Sequence, residues 1–292
     1  MNVINFTGGL GNQMFYYALY RAFQEKNGKK SVKANLSYYE KSDVEFGLNK
    51  VFPITKHYLE LDNGEKEKAY YRIKKISDFL HINWMIDSKK LFFSEKEILK
   101  YDKEVLSLKN SILSGYWQSY KYFESIENII KNEFVFVIND EINRVAKSLT
   151  QENHTLVSVH FRRGDYLQFD DVYGGICDEI YYRKAINYFL ERFEEPMFVL
   201  FSDDSEWVKE IIKKNNSNAR FLCFEHSLFK EYHDWYDMYF MSVCNHNIIA
   251  NSTFSWWGAF LNKNEDKIVY APSRWINGYS GADICPKEWI RG

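Results

Sequence analysis

Short runs rich in Val, Ile and Phe alternate with longer helix-patterned stretches along most of the chain, and this alternation restricts the fold more than any other feature. The strand-like runs are residues 2–6, 31–36, 112–114, 155–161, 197–201, 220–224, 247–250 and 267–271. Helix-like stretches at 13–26, 121–132, 179–193, 206–215 and 232–244 lie between them. Strands joined by helices of this length make βαβ units, and βαβ units make mainly parallel sheets. A fresh strand–helix series begins at Thr155, so a break near Gln151 is expected. The predicted architecture is α/β, with two Rossmann-like lobes, 1–150 and 151–292, and a ligand cleft between them. Residues 40–109 are charged and mostly helical in pattern, and they yield no chemistry.

The chain can bury the cores that such lobes need, since 46% of its residues are hydrophobic and 27% charged. Aromatic residues reach 18%. Rings of this kind stack on sugars, although any single one is first of all packing material. A net charge of -2 excludes nucleic acid as the main partner, because a phosphate backbone calls for a clear basic excess. Cys177, Cys223, Cys244 and Cys285 contain no C-x-x-C pair, so reduced thiols are expected rather than a zinc site or a disulfide framework. Residues 1–6 lack the basic start and apolar stretch of a signal peptide. No segment approaches the roughly 18–20 apolar residues of a membrane span. A cytoplasmic protein with at most peripheral membrane contact is expected.

Ligands of open α/β sheets gather beyond the carboxyl ends of the strands. The polar residues directly after each strand run are therefore the first candidates. Thr7-Gly8-Gly9-Leu10-Gly11-Asn12-Gln13 joins the first strand to a helix start, where anions are favoured. It fails the dinucleotide fingerprint, with Met14 in place of the third glycine and no acidic residue closing the next strand near Leu36. Gly11, Asn12 and Gln13 remain as donor-binding candidates; a plain strand-to-helix turn is the alternative.

His160-Phe161-Arg162-Arg163-Gly164-Asp165-Tyr166 ends a second strand. Two adjacent arginines there call for an anionic partner, and a planar guanidinium fits a pair of phosphate oxygens. If Phe161 faces the core, alternation puts His160 and Arg162 together on the other face. An Arg163–Asp165 ion pair is the structural alternative. In Phe201-Ser202-Asp203-Asp204-Ser205, Asp204 or Ser205 caps the following helix. A remaining carboxylate, Asp203 or Asp204, would accept the N1–H and 2-amino hydrogen bonds of guanine, a donor pair that adenine lacks. In Asn251-Ser252-Thr253-Phe254-Ser255-Trp256-Trp257-Gly258, Ser252, Thr253 and Ser255 open a helix and with its N–H groups make an anion cradle. One of these hydroxyls is expected to serve as a simple cap. Trp256 and Trp257 either close a sugar pocket or fill the core.

No Asp-x-Asp occurs in the chain, so no metal is expected to hold a nucleotide-sugar diphosphate. The arginines and the helix-start groups would neutralise it instead. Nucleophile-elbow, P-loop and zinc-protease motifs are also missing from the sequence.

Taken together with Gly115-Tyr116-Trp117-Gln118 and Lys121-Tyr122-Phe123, these segments resemble the bacterial α-1,2-fucosyltransferases, glycosyltransferase family 11. They stand in family order and span nearly the whole chain. The resemblance implies a GT-B-like fold, with an acceptor-side N-terminal lobe and a C-terminal lobe for GDP-fucose. It implies transfer of fucose with inversion to the 2-hydroxyl of a galactose-type sugar, without cofactor or metal. Arg162 would hold the β-phosphate, Asp203 or Asp204 the guanine, and Ser252, Thr253 and Ser255 the diphosphate. The acceptor would be an oligosaccharide or lipid-linked glycan of bacterial surface-polysaccharide or O-antigen assembly, met at the inner face of the membrane. Leaving-group stabilisation would supply most of the catalysis. Asp165 and His160 are placed to act as general base, with Asp170, Asp171 and Glu179 behind them. The rivals are another GDP-fucose-dependent linkage, a carbohydrate-binding protein without catalysis, which would bind no GDP, and a dinucleotide-dependent epimerase, which would bind NAD.

Overall fold

Each strand run expected from the sequence forms a strand in the computed structural model, which describes residues 1–62, 64–79, 91–151, 154–162, 164, 168–202, 204, 207–208 and 219–292. The chain divides into two compact units, Met1–Val135 and Phe136–Gly292. In the first, β1 (Asn2–Asn5), β2 (Val32–Asn35), β3 (Phe92–Ser94) and β4 (Ile112–Ser114) form a parallel sheet in the order β2-β1-β4-β3. In the second, β5 (Leu156–Phe161), β6 (Met197–Ser202), β7 (Arg220–Cys223), β8 (His246–Ile248), β9 (Val269–Ala271) and β10 (Ile290–Arg291) form a parallel sheet in the order β10-β9-β8-β5-β6-β7. The helices that matter below are α1 (Leu10–Asn27), α2 (Glu65–Phe79), α3 (Glu127–Glu133), α4 (Asp140–Thr150), α5 (Glu179–Leu190), α6 (Trp235–Val243) and α7 (Thr253–Phe260).

Parallel strands covered on both faces read as continuous apolar runs, and β5 is buried at all its positions. Val157, Val159 and Phe161 face one core with Tyr181, Tyr182, Ile186 and Phe189 of α5. Leu156 faces a second core with Val199 and Phe201 of β6, Phe240 and Met241 of α6, and Ile142 and Ala146 of α4. Because Ile142 and Ala146 pack there, α4 belongs to the second unit. The break therefore falls at 135/136 rather than at the expected 150/151.

One further expectation changes, and one open alternative closes. The stretch 121–132 is not one helix. Short 3-10 turns at Tyr120–Tyr122 and Glu124–Ile126 precede α3, and Phe123 leaves helical angles with φ -129°. That break lets Tyr120, Tyr122 and Phe123 all be buried, which successive positions on one helical face do not permit. Trp256 and Trp257 fill the core, where Trp256 donates its indole N–H to the Ile284 carbonyl at 3.0 Å. Gly258 follows them because α7 lies hard against α6: a Cβ there would sit 3.0 Å from Met241 Cβ. The expected helix 206–215 lies largely outside the described residues, with Trp207 and Val208 helical.

In the first unit α1 is buried from Gln13 through Gln24, so it carries Arg21 into the interior. There the Arg21 guanidinium donates Nε to both Glu133 oxygens at 3.0 and 3.1 Å, and Tyr17 donates its hydroxyl to the same carboxylate at 2.7 Å. Arg21 and Glu133 are 5% and 6% exposed. This pair fastens α1 to the end of α3.

The direction of winding reverses once in each sheet. In the second unit β6 and β7 extend to one side of β5, while β8, β9 and β10 lie on the other. In the first, β2 lies to one side of β1, and β4 and β3 to the other. The carboxyl ends of β5 and β8, and of β1 and β4, are thus the switch points where open α/β sheets take ligands.

Candidate functional site

At the β5/β8 switch point, alternation along β5 behaves as expected. Phe161 packs on Tyr182, with ring centroids 4.2 Å apart, and His160 turns to the opposite face, 6.0 Å from the Phe254 ring at the start of α7. Arg162 follows, half-buried. His160 is 6% exposed, and its Nδ1 is buried without a hydrogen-bond partner among the described residues. Burial, reinforced by the Arg162 charge, pulls the His160 pKa down to about 3. A neutral imidazole with so low a pKa is a weak base near pH 7, so His160 is better suited to hydrogen bonding than to proton abstraction. That revises its expected role as general base.

Across from it, β8 leads into α7. Ser252 is the N-cap, and its Oγ accepts from the Phe254 N–H at 3.3 Å. Ser255 is 0% exposed and donates its hydroxyl back to the Ser252 carbonyl at 3.4 Å. The helix turn thus directs Ser255 inward, and it is withdrawn from the expected anion cradle. Thr253 stays half-buried at the first helical position. Asn251 is buried and donates its amide to the Trp275 carbonyl at 3.0 Å.

After β6, Asp204 takes the capping role. Its Oδ1 accepts from the Trp207 N–H at 3.1 Å, and its own N–H donates to Ser202 Oγ at 2.8 Å. Of the two carboxylates considered for guanine, Asp204 is thus taken up as a cap, and Asp203 lies outside the described residues. Arg163 and Asp165 lie outside them as well. Asp170 and Asp171 begin a short helical turn at Asp170–Tyr173, and Glu179 opens α5 behind its cap Asp178.

The β1/β4 switch point holds the glycine turn. Gly8 has φ +72°, a backbone conformation that favours glycine, and a Cβ on it would stand 2.6 Å from Asn12 Nδ2 and displace that amide. Gly11 is buried in the first turn of α1. Asn12 Oδ1 accepts from the Gln118 side chain at 2.9 Å, tying this turn to the one after β4. Gln13 departs from expectation. It is 0% exposed, donates to the Gly8 and Glu45 carbonyls at 3.0 and 2.8 Å, and accepts from the Gly47 and Leu48 N–H groups at 3.0 Å each. An amide has two donor hydrogens and two acceptor lone pairs, so Gln13 has nothing left for a ligand. It holds residues 45–48 against the turn.

Sequence reasoning passed over two groups of residues. Glu95, directly after β3, accepts from the Tyr116 N–H at 2.7 Å and the Trp117 N–H at 3.2 Å, and burial raises its pKa. Beyond β7, the Asp237 carboxyl is raised to about 6 by burial, with the Tyr232 hydroxyl and His226 bonded to it, and His226 stacks on Tyr232 at 3.8 Å. Neither group has a sequence signal of its own, since each forms only when distant segments meet.

Among the described residues no group of three His, Cys, Asp or Glu is arranged to hold a metal ion. The four cysteines are free. Within the described residues no helix is long and apolar enough to cross a membrane.

Comparison with known proteins bears on the family and the fold. Across 99% of this chain and 98% of the relative, the sequence is 34% identical to an alpha-1,2-colitosyltransferase of Escherichia coli. It is 30% identical to the O-antigen biosynthesis glycosyltransferase WbnK of Escherichia coli over 97% and 98% of the two chains. Identity to the human galactoside alpha-(1,2)-fucosyltransferase 1 is 28%, over 87% of this chain and 63% of that one. A solved structure of an Arabidopsis thaliana FUT1 mutant in complex with GDP superposes with a TM-score of 0.51 at 9% identity, covering 92% of this chain and 70% of that chain. That likeness concerns the fold, and it agrees with the GT-B-like, two-lobed α/β class. The family model for glycosyl transferase family 11 matches residues 1–291, and the chain belongs to that family of glycosyltransferases.

Proposed function

We propose that this glycosyltransferase moves L-fucose from GDP-β-L-fucose to the 2-hydroxyl of a galactose-type acceptor, inverting the anomeric carbon to form an α-1,2 linkage. The observation that carries the reading is the β5/β8 switch point, where Arg162 and the unpartnered Nδ1 of His160 stand at one strand end and the capped start of α7 at the other. A guanidinium and a helix N-terminus are what a metal-free site needs to receive a departing diphosphate.

In this mechanism the bond between the fucosyl carbon and the phosphate oxygen breaks through an oxocarbenium-like state. Arg162 takes up the charge growing on the β-phosphate, with Arg163, Thr253 and the N–H groups opening α7 around the diphosphate. Losing one such donor commonly costs about 2.7–4 kcal/mol of transition-state stabilisation. Neutral His160 hydrogen-bonds an oxygen of the nucleotide. Asp203 reads guanine. The acceptor 2-hydroxyl attacks from the face opposite the leaving group, and Asp165 is the proposed acceptor of its proton. The second unit holds the donor and the first unit the acceptor, an oligosaccharide or lipid-linked surface glycan reached from the cytoplasm.

Calorimetry with GDP in EDTA tests the donor site. GDP should bind far more tightly than ADP, and Arg162→Ala should abolish or strongly weaken that binding. Binding untouched by Arg162→Ala would remove the basis of the proposal.

The 34% identity to a colitosyltransferase favours a second donor, GDP-colitose. Colitose is fucose without its 3-hydroxyl, so both sugars offer the same leaving group and ring configuration. Rates measured side by side with the two donors decide between them.

A further inference from the structure

The turn after β4 has no task in the proposed donor site, yet its backbone is unusual at two positions, 115 and 117. Gly115 has φ +158°, and a Cβ there would fall 2.4 Å from Glu95 Cβ, 2.9 Å from Glu95 Oε2 and 3.2 Å from Trp117 Cε2. Only glycine lets these three groups converge. Trp117 takes a left-handed φ of +54° although it is almost wholly buried, and its indole N–H has no hydrogen-bond partner among the described residues. A large residue with positive φ and an orphaned buried donor is costly, and such costs persist where the backbone must present its neighbours in a fixed way.

Tyr116 is the residue so presented. Lying between Gly115 and Trp117, it is 45% exposed while its backbone N–H is held by Glu95. Each Glu95 oxygen accepts one backbone N–H, which leaves each with a further lone pair. The Gln118–Asn12 bond fixes the turn at the β1/β4 switch point, beside the hydroxyl of Tyr16, which bonds Thr7 at 2.9 Å and feels the charge of Glu95. An exposed aromatic face beside an anchored carboxylate is the chemistry that holds a pyranose, through stacking on the ring's C–H face and hydrogen bonds from its hydroxyls. We infer that Tyr116 and Glu95 form the acceptor-sugar subsite, Tyr116 as the stacking platform and Glu95 as the acceptor of sugar hydroxyl hydrogen bonds. This rests on the proposed function and specifies which residues of the first unit hold the acceptor.

The test uses the full chain, with transfer from GDP-fucose to lactose and to other galactose-terminated glycosides as the assay and GDP calorimetry in parallel. Tyr116→Ala should raise the acceptor KM roughly tenfold. Glu95→Gln should raise it roughly tenfold to a hundredfold. GDP affinity should be kept in both. Tyr116→Phe, which restores the ring, should recover most of the acceptor affinity that Tyr116→Ala loses, as stacking requires. An unchanged acceptor KM in Tyr116→Ala overturns the subsite while leaving the donor reading intact. Wild-type protein that binds GDP but uses no galactoside also overturns it. Wild-type protein that binds no GDP instead sinks the proposed function.

Discussion

Replacing Gln13 by Met separates a scaffold residue from a ligand contact. The change keeps the side chain's length and approximate volume while deleting all four amide hydrogen bonds. Not every partner suffers equally. The Gly8 carbonyl retains the Tyr39 hydroxyl at 3.2 Å, and Glu45 and Gly47 lie near enough to the surface for water to replace part of the loss. The Leu48 N–H is wholly buried and has no such recourse. One orphaned buried donor costs about 1–3 kcal/mol, and the remaining bonds bring the total to about 2–4 kcal/mol. For a chain of this size that lowers Tm by roughly 4–16 °C. The assay pairs thermal unfolding with GDP calorimetry well below the transition. A lowered Tm with GDP affinity unchanged to within about threefold agrees with the scaffold role. An unchanged Tm with a large loss of GDP affinity would refute it and restore Gln13 to the ligand.

Other perturbations follow from the same geometry. Glu133→Leu strips the Arg21 Nε of its partner while leaving the guanidinium Glu25 at 3.0 Å and Gln24 at 2.6 Å, and should cost up to roughly 3–5 kcal/mol, while the double change Arg21→Met with Glu133→Leu should cost clearly less; urea titrations of the three proteins check this. Burial raises the Asp237 carboxyl from 3.8 to about 6, so the folded form holds its proton more tightly than the unfolded form does. Its contribution is fully present below about pH 4 and is lost as pH rises through about 6. Asp237→Asn should therefore flatten the wild-type fall in stability between those limits, as read by denaturation at each pH. Gly258→Val forces α6 and α7 apart and should destabilise by about 1–3 kcal/mol, measurable as a lower urea midpoint. His160→Phe should weaken GDP binding through its lost hydrogen bond without removing any limb of the rate profile between pH 5 and 8, since His160 titrates near 3.

The fold was legible wherever a strand was long enough to write itself in Val, Ile and Phe, as in β5 and β6. The three-residue strands β4, β8 and β9 were still legible because Ile or Val marks them and their neighbours, whereas β3, reading Phe-Phe-Ser, and β10, of two residues, carry no such mark. The boundary was misplaced because α4, seen alone, closes one lobe as readily as it opens the next; only the packing of Ile142 and Ala146 decides. The site was readable to the level of segments. Asn12 and Gln13 are adjacent amides of the same chemistry, but one helical step of about 100° sends Gln13 inward. Ser252 and Ser255 differ in the same way, one a cap and the other folded back beneath it. Glu95 was beyond reach, because its meaning comes from Tyr116 and Trp117, which fold onto it from twenty-odd residues away.

The linkage of the product tests the central claim most directly. Protein incubated in EDTA with GDP-fucose and a galactose-terminated acceptor should release GDP, and NMR of the product should show fucose in α configuration on the galactose 2-hydroxyl. A product joined at another hydroxyl, retention of the donor's β configuration, or a requirement for added divalent metal would contradict the account.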